Sequence, residues 1–180
     1  LHNNYINLAQ PVYIGNDVGL SPDVDIITHG FWQSVFEGYP TKYARVDIGA
    51  GVIVGQRSMI LPGVFIRSNI VIGAQSVVTK DLDRENSIYA GNPARFIKEI
   101  VPLDYVQRRQ RLYDIIARYN FLANGHAVAH YPYVEIPNCC KIHVEKKTIE
   151  GTENETSDKL RDYLRRYGIR IYTERPFVSL

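Results

Sequence analysis

One histidine sits where a regular pattern stops, and that placement is the first hint of chemistry in this sequence. His29, in Thr28-His29-Gly30, ends a run of evenly spaced aliphatic residues. Imidazole exchanges a proton near neutral pH, so a lone histidine at such a break is a candidate general base. It can equally be a polar residue that caps an edge, and spacing alone leaves both open. The stretch that follows, Gly30 to Arg45, reads GFWQSVFEGYPTKYAR and is rich in aromatics. Long loops with large apolar residues are usually functional or buried against a partner. Trp32 or Tyr39 could stack on a sugar ring or a hydrophobic substrate, or the same arm could pack on a neighbouring subunit. Glu37 could orient His29 or bind a hydroxyl, or be a solvated carboxylate.

Other reactive side chains form weaker constellations. His126 and His130 are four residues apart, but Asn124-Gly125 argues against a helix there, and two ligands do not make a metal site. No metal is expected. Arg108-Arg109-Gln110-Arg111 reads as a solvated helix face. The only cysteines, Cys139 and Cys140, are adjacent. A bridge between neighbours is strained, so a disulfide framework is not expected and a reducing cytoplasm fits better.

Composition bounds the rest. The 180 residues allow one large domain or one domain with a modest appendage, and the 45% apolar and 22% charged shares are those of an ordinary globular chain. A formal charge of +2 argues against a nucleic-acid partner. No apolar run is long enough for a membrane span, and no signal peptide is visible. The chain opens on Leu rather than Met, so it can be a fragment from which a leader has been cut.

The elements that must position these residues come from a six-residue beat. From Asp47 to Thr79 every sixth residue is aliphatic: Ile48, Val54, Ile60, Ile66, Ile72 and Val78. Four places after each of the first five stand Val52, Ser58, Val64, Ile70 and Ser76, all small or β-branched. The beat also runs through Ile14, Leu20 and Ile26, stops after Thr28 and resumes at Ile48, an insertion of about sixteen residues. Helices repeat every three to four residues and strands every two, so a period of six predicts a parallel β-helix. Three hexads make one coil, so nine hexads make about three. The aliphatics point inward, the small residues sit near the corners, and the flat faces suit packing against copies of the chain.

VIVGQRSMILPGVFIRSNIVIGAQSVVTKD followed by AGNPARFIKEI resembles the hexapeptide-repeat acyltransferases, and more narrowly the maltose, galactoside and xenobiotic O-acetyltransferases. The resemblance spans about residues 12 to 100. It implies a left-handed parallel β-helix, a homotrimer with active sites between subunits, and acetyl-CoA or another acyl-CoA as donor. It implies His29 as general base, with Thr79, Lys80, Arg95 and Lys98 contacting CoA and backbone groups of Gly73 and Ala74 lining the pantetheine groove. A backbone N–H is expected to hold the oxyanion. Many members carry Trp in a VWIG stretch where this chain has Ile53, so Trp32 could supply that ring from the loop. The expected function is O-acetyl transfer from acetyl-CoA to a hydroxyl of a sugar or small molecule. The alternatives are N-acetylation of an amino sugar or a non-catalytic trimeric scaffold.

Residues 1–100 are thus expected to form the β-helix domain, with a loop insertion at about 30–45, and residues 101–180 a small α+β region of unrecognised family. Past Ile100 a helical pattern begins at Pro102, with Leu103, Val106, Tyr113, Ile116 and Ala117 on one face, and ends at Gly125. Tyr131–Ile136 and Lys141–Ile149 alternate as strands. A helix capped by Thr156 or Ser157 runs to Tyr167, and Ile169–Tyr172 reads as a last strand.

Overall fold

A computed structural model describes residues 3–175, which are mostly β with two helices and divide into two compact units, 1–101 and 102–180. In the first unit the chain runs through β1 (Tyr5–Ile6), β2 (Val12–Ile14), β3 (Gly19–Leu20) and β4 (Asp25–Ile26). A hairpin of β5 (His29–Gly30) and β6 (Lys42–Tyr43) follows, then β7 (Val46–Ile48), β8 (Ile53–Val54), β9 (Met59–Ile60) and β10 (Phe65–Ile66). The unit ends with β11 (Ile70–Ile72), β12 (Val77–Val78), β13 (Ser87–Ala90) and β14 (Arg95–Glu99).

These short strands stack in three ladders: β1-β4-β9-β12, β2-β7-β10, and β3-β8-β11-β13 with β14 antiparallel on its edge. Parallel partners lie eighteen residues apart, Met59 with Val77, Asp47 with Phe65 and Ile53 with Val71. Partners that straddle the hairpin are thirty-four apart, as Asp25 is from Met59, so the surplus of sixteen is the inserted arm. β1 pairs with β4, which makes the polar opening segment a rung of the first ladder.

The beat has a direct physical cause. Val54, Ile60, Ile66 and Val78 are fully buried, and Val52, Ser58, Val64, Ile70 and Ser76 close the same core. The residue before each of these small ones turns a corner with positive φ: Gly51, Arg57, Gly63, Asn69 and Gln75. Gly and Asn take that conformation readily, whereas at Arg57 and Gln75 it costs about 1–2 kcal/mol each. Serine suits the buried corner because its hydroxyl bonds the turn backbone. Ser58 and Ser76 both donate to the Gly73 carbonyl, at 3.0 and 2.6 Å.

In the second unit α1 (Tyr105–Ala123) is capped by Asp104 and ended by left-handed Asn124. Its buried residues are Leu112, Ile115, Ile116 and Tyr119; Leu103 and Val106 are exposed because the helix meets the core only from Leu112 onward, and Ala117 is exposed because it lies off the buried face. A four-stranded antiparallel meander follows: β15 (Val128–His130), β16 (Tyr133–Ile136), β17 (Cys140–His143) and β18 (Thr148–Gly151). The single strand expected over Lys141–Ile149 is thus two, parted by a turn in which Lys147 has φ of 59°. α2 (Glu155–Arg165) is capped by Asn154, two residues before Thr156 and three before Ser157, because Asn154 takes the backbone N–H groups of both.

Ile169–Tyr172 is not a strand. Buried Arg161 donates to the carbonyls of Ile171 and Arg175, at 3.4 and 3.2 Å, so these groups bond a guanidinium rather than a ladder. Asp158, also buried, binds Arg161 at 3.0 Å and Arg175 at 2.7 Å. The Arg175 hydrogen bond, aided by the charges of Arg175 and Arg161, holds the Asp158 carboxyl below the usual carboxylate range against the opposing effect of burial.

Candidate active site

His29 is positioned by the stem of the inserted hairpin and by the first ladder. In β5 it pairs with Tyr43 of β6, and the Ala44 N–H donates to the Thr28 carbonyl at 3.0 Å, closing the arm at its base. Directly paired antiparallel residues share a face. The imidazole accordingly stacks on Tyr43, with centroids 5.4 Å apart, and tilts against Phe31 at 5.8 Å.

Asn7 fixes the ring chemically. Its N–H donates to the Ile26 carbonyl at 2.8 Å, which carries the residue along the first ladder to the start of the arm. Its Oδ1 lies 2.8 Å from His29 Nδ1, accepts from the Thr28 hydroxyl at 2.6 Å and from the Ala9 N–H at 3.3 Å. A backbone N–H can only donate, so the shared atom is the amide oxygen and His29 Nδ1 must carry the proton. Nε2 is left with its lone pair free. That is the state a general base requires. Glu37 was the sequence candidate for orienting His29, but Asn7 fills that position. Glu37 ends a 3₁₀ turn, Val35–Glu37, on the exposed arm.

A cavity of about 470 Å³ opens beside this ring. Its apolar wall is the outer side of the first ladder, Ile27, Met59, Leu61 and Pro62, and its rim carries His29, Gly30, Trp32, Lys42 and Thr79. The structure therefore brings together three residues singled out from sequence: His29, Trp32 and Thr79. It adds Lys42, which sequence reasoning passed over. Tyr39 and Glu37 do not line this cavity. Ile53 lies on β8 in the third ladder, so within the chain Trp32 does not occupy the place of the ring missing there.

The remaining candidates lie elsewhere on the unit. Gly73 and Ala74 follow β11, where the Gly55 backbone approaches so closely that a Cβ there would meet the Ala74 nitrogen at 2.4 Å. Lys80 is exposed just past β12, and Arg95 and Lys98 are exposed on β14. Among the described residues none of the three has a carboxylate partner, and Arg95 donates only to the neighbouring Ala94 carbonyl, at 3.3 Å. Asn7 is one of three asparagines near the start of the chain, with Asn3 and Asn4, and that composition carries no hint of which one meets His29.

No protein-family profile matches the chain. Among curated proteins it is 37% identical over 91 residues to the galactoside O-acetyltransferase of Escherichia coli (strain K12), covering 49% of this chain and 44% of that one. It is 46% identical over 94 residues to Protein CapG of Staphylococcus aureus, covering 49% and 53%. The chain thus spans about half the length of the curated relatives it matches. A solved galactoside acetyltransferase in complex with coenzyme A superposes with a TM-score of 0.50 at 35% identity, over 54% of this chain and 50% of that chain. Ladders with an eighteen-residue register, a histidine-bearing arm and these sequence matches make the first unit similar to acetyltransferases of the galactoside O-acetyltransferase kind.

Proposed function

We propose that the chain is a CoA-dependent acyltransferase that moves an acetyl group from acetyl-CoA to a hydroxyl of a sugar or another small molecule. The observation that carries this reading is the Asn7–His29 pair, whose free Nε2 belongs to a ring that lines a cavity shared with Trp32 and Thr79. Acetyl-CoA would supply an activated thioester carbonyl. His29 Nε2 takes the acceptor hydroxyl proton as oxygen attacks that carbonyl, while Asn7 Oδ1 steadies the imidazolium that forms. The same nitrogen then returns the proton to the departing thiolate. Asn7 keeps this exchange on one nitrogen throughout.

The donor set suits coenzyme A. Lys80, Arg95 and Lys98 are exposed cations without carboxylate partners among the described residues, as a polyphosphate requires. Thr79 leads from the cavity to Lys80, and the backbone at Gly73 and Ala74 would line the pantetheine arm. Trp32 would pack against the acceptor in the cavity, and Tyr39 and Glu37, outside it on the arm, would contact only a part of the acceptor that extends beyond the cavity. The wider proposal is a left-handed β-helix of about three coils over residues 1–100, an α+β domain over 101–180, and a homotrimer. Trp32 and Phe36, 93% and 98% exposed, support the homotrimer because a single chain leaves them uncovered. A cytoplasmic location belongs to the same proposal, on the unbridged Cys139 and Cys140. Among the described residues no helix is long and apolar enough to cross a membrane.

Thermal shift with acetyl-CoA tests the reading first, since a ligand that binds the folded state must raise its stability. His29→Ala should then lower kcat by about 10²–10⁴-fold with little change in donor affinity. No stabilisation at millimolar acetyl-CoA, or an alanine variant as active as the parent, would refute it.

A further inference from the structure

The cations of the first unit fall into distinct groups. Arg45, Arg57 and Arg67 each face a carboxylate, Asp47 at 2.9 Å, Asp23 at 3.7 Å and Glu85 at 3.9 Å. Arg84 lies over the Phe96 ring at 4.6 Å. Lys80, just past β12, and Arg95 and Lys98 on β14 are the cations proposed for the donor. Lys42 belongs to none of these groups. It lines the His29 cavity, no carboxylate lines that cavity, and among the described residues none pairs with its ammonium.

Its place is also built rather than incidental. Lys42 pairs with Gly30 across the hairpin stem, and nothing lies within 4 Å of the space a Gly30 side chain would fill. On its other side the Lys42 chain passes over the corner at Gly63, where an added Cβ would come within 2.9 Å of both Cε and Nζ. Gly63 thus leaves room for the end of the Lys42 side chain, while the space opposite Lys42 at Gly30 stays open. The walls nearby, Ile27, Met59 and Leu61, offer no group that could neutralise a charge. Lys42 is exposed at the rim of the cavity, so its ammonium attracts an anion at close range and the attraction is screened by salt.

We propose that Lys42 selects the acceptor: the molecule acetylated at this site carries an anionic group, a carboxylate or a phosphate, which the Lys42 ammonium holds in the cavity that His29 lines. This rests on the acyltransferase reading and narrows its acceptor class from any hydroxyl compound to an acidic one. A hydrogen bond between charged partners gives an acidic acceptor about a ten-fold or greater advantage over its neutral analogue.

The test is titration calorimetry of the full chain saturated with CoA, using three probes: methyl β-D-glucuronide, glucose 1-phosphate and methyl β-D-glucoside. At least one anionic probe should bind about ten-fold or more tightly than the glucoside, and raising salt from roughly 0.05 to 0.5 M should shrink the difference. The ratio of the two anions then separates carboxylate from phosphate. Lys42→Met, which keeps the stem, should abolish the preference while leaving the glucoside and acetyl-CoA constants in place. Lys42→Arg should restore it. Equal affinity for charged and neutral probes, or no measurable anion binding at 10 mM, overturns the proposal. So does a Lys42→Met variant that loses acetyl-CoA affinity instead, which would put the ammonium on the donor. A parent protein that binds no acetyl-CoA removes the acyltransferase reading itself, and this inference with it.

Discussion

Replacing Asn7 separates positioning from folding in this site. Asn7→Ala deletes an oxygen that serves His29 Nδ1 at 2.8 Å and the Thr28 hydroxyl at 2.6 Å. The fold should tolerate the loss, because the Thr28 hydroxyl keeps the Asn7 backbone carbonyl at 3.1 Å and Asn7 N–H keeps Ile26. One replaceable hydrogen bond is worth about 1 kcal/mol. The ring also stays stacked on Tyr43. What disappears is the choice of tautomer and the acceptor for an imidazolium in the transition state. A hydrogen bond to a charged donor contributes about 1.5–3 kcal/mol, so kcat should fall by roughly ten- to a hundred-fold, less than in His29→Ala. The KM for acetyl-CoA should hold, because the Asn7 side chain contacts Tyr5, Thr28, His29 and the Ala9 N–H and none of the residues proposed for the donor.

Asn7→Asp provides the control. A carboxylate keeps the acceptor oxygen but adds a charge that favours the protonated ring. A base must be neutral, so the acid limb of the pH–rate profile should move to higher pH while the high-pH plateau survives. Initial rates across pH, with melting temperatures of each variant, make the measurement. The reasoning fails if Asn7→Ala keeps the parent kcat, or if Asn7→Asp loses activity at every pH with its acid limb unmoved.

Three further outcomes concern the scaffold. Ile60→Ala removes a fully buried side chain from the ladder core and should destabilise the first unit by about 2–5 kcal/mol in chemical denaturation. Asp158→Asn leaves buried Arg161 without its nearest carboxylate and should cost about 3–5 kcal/mol, read as early unfolding of the second unit by hydrogen exchange. In the parent protein the Asp158 carboxyl titrates below its unfolded value, so its stabilisation is complete above about pH 4 and is lost as pH falls through the lower folded value. The Cys140 thiol, pushed up to about 12 chiefly by burial, should resist iodoacetamide in the native protein at pH 8 and react once the chain is unfolded. Labelling followed by peptide mass analysis reads that difference, and native labelling of Cys140 would contradict the burial.

The parts of this molecule that could be read in advance are those where one residue class answers one repeated demand. Every inward position accepts any aliphatic of suitable size, so Ile48 to Val78 show their beat without any knowledge of what each one touches. The corners were half readable. Gly51, Gly63 and Asn69 match a left-handed turn, whereas Arg57 and Gln75 adopt the same turn against their own preference and hide it. Asn7 and Lys42 answer demands that occur once. Asn7 reaches His29 only because the first ladder brings together residues about twenty apart, and an amide has no periodic trace. Lys42 faces the cavity because the arm returns with Gly30 opposite it, a register that loop length alone does not set. The tail of the chain misled for the opposite reason. Ile169 to Tyr172 has the alternation of a strand, but Arg161 from a helix takes the Ile171 carbonyl. Periodic pattern therefore locates the walls of such a protein, while its chemistry depends on single polar residues whose partners are chosen by register. In this fold the search for function belongs at the residues that break the beat and at whatever the ladders place beside them.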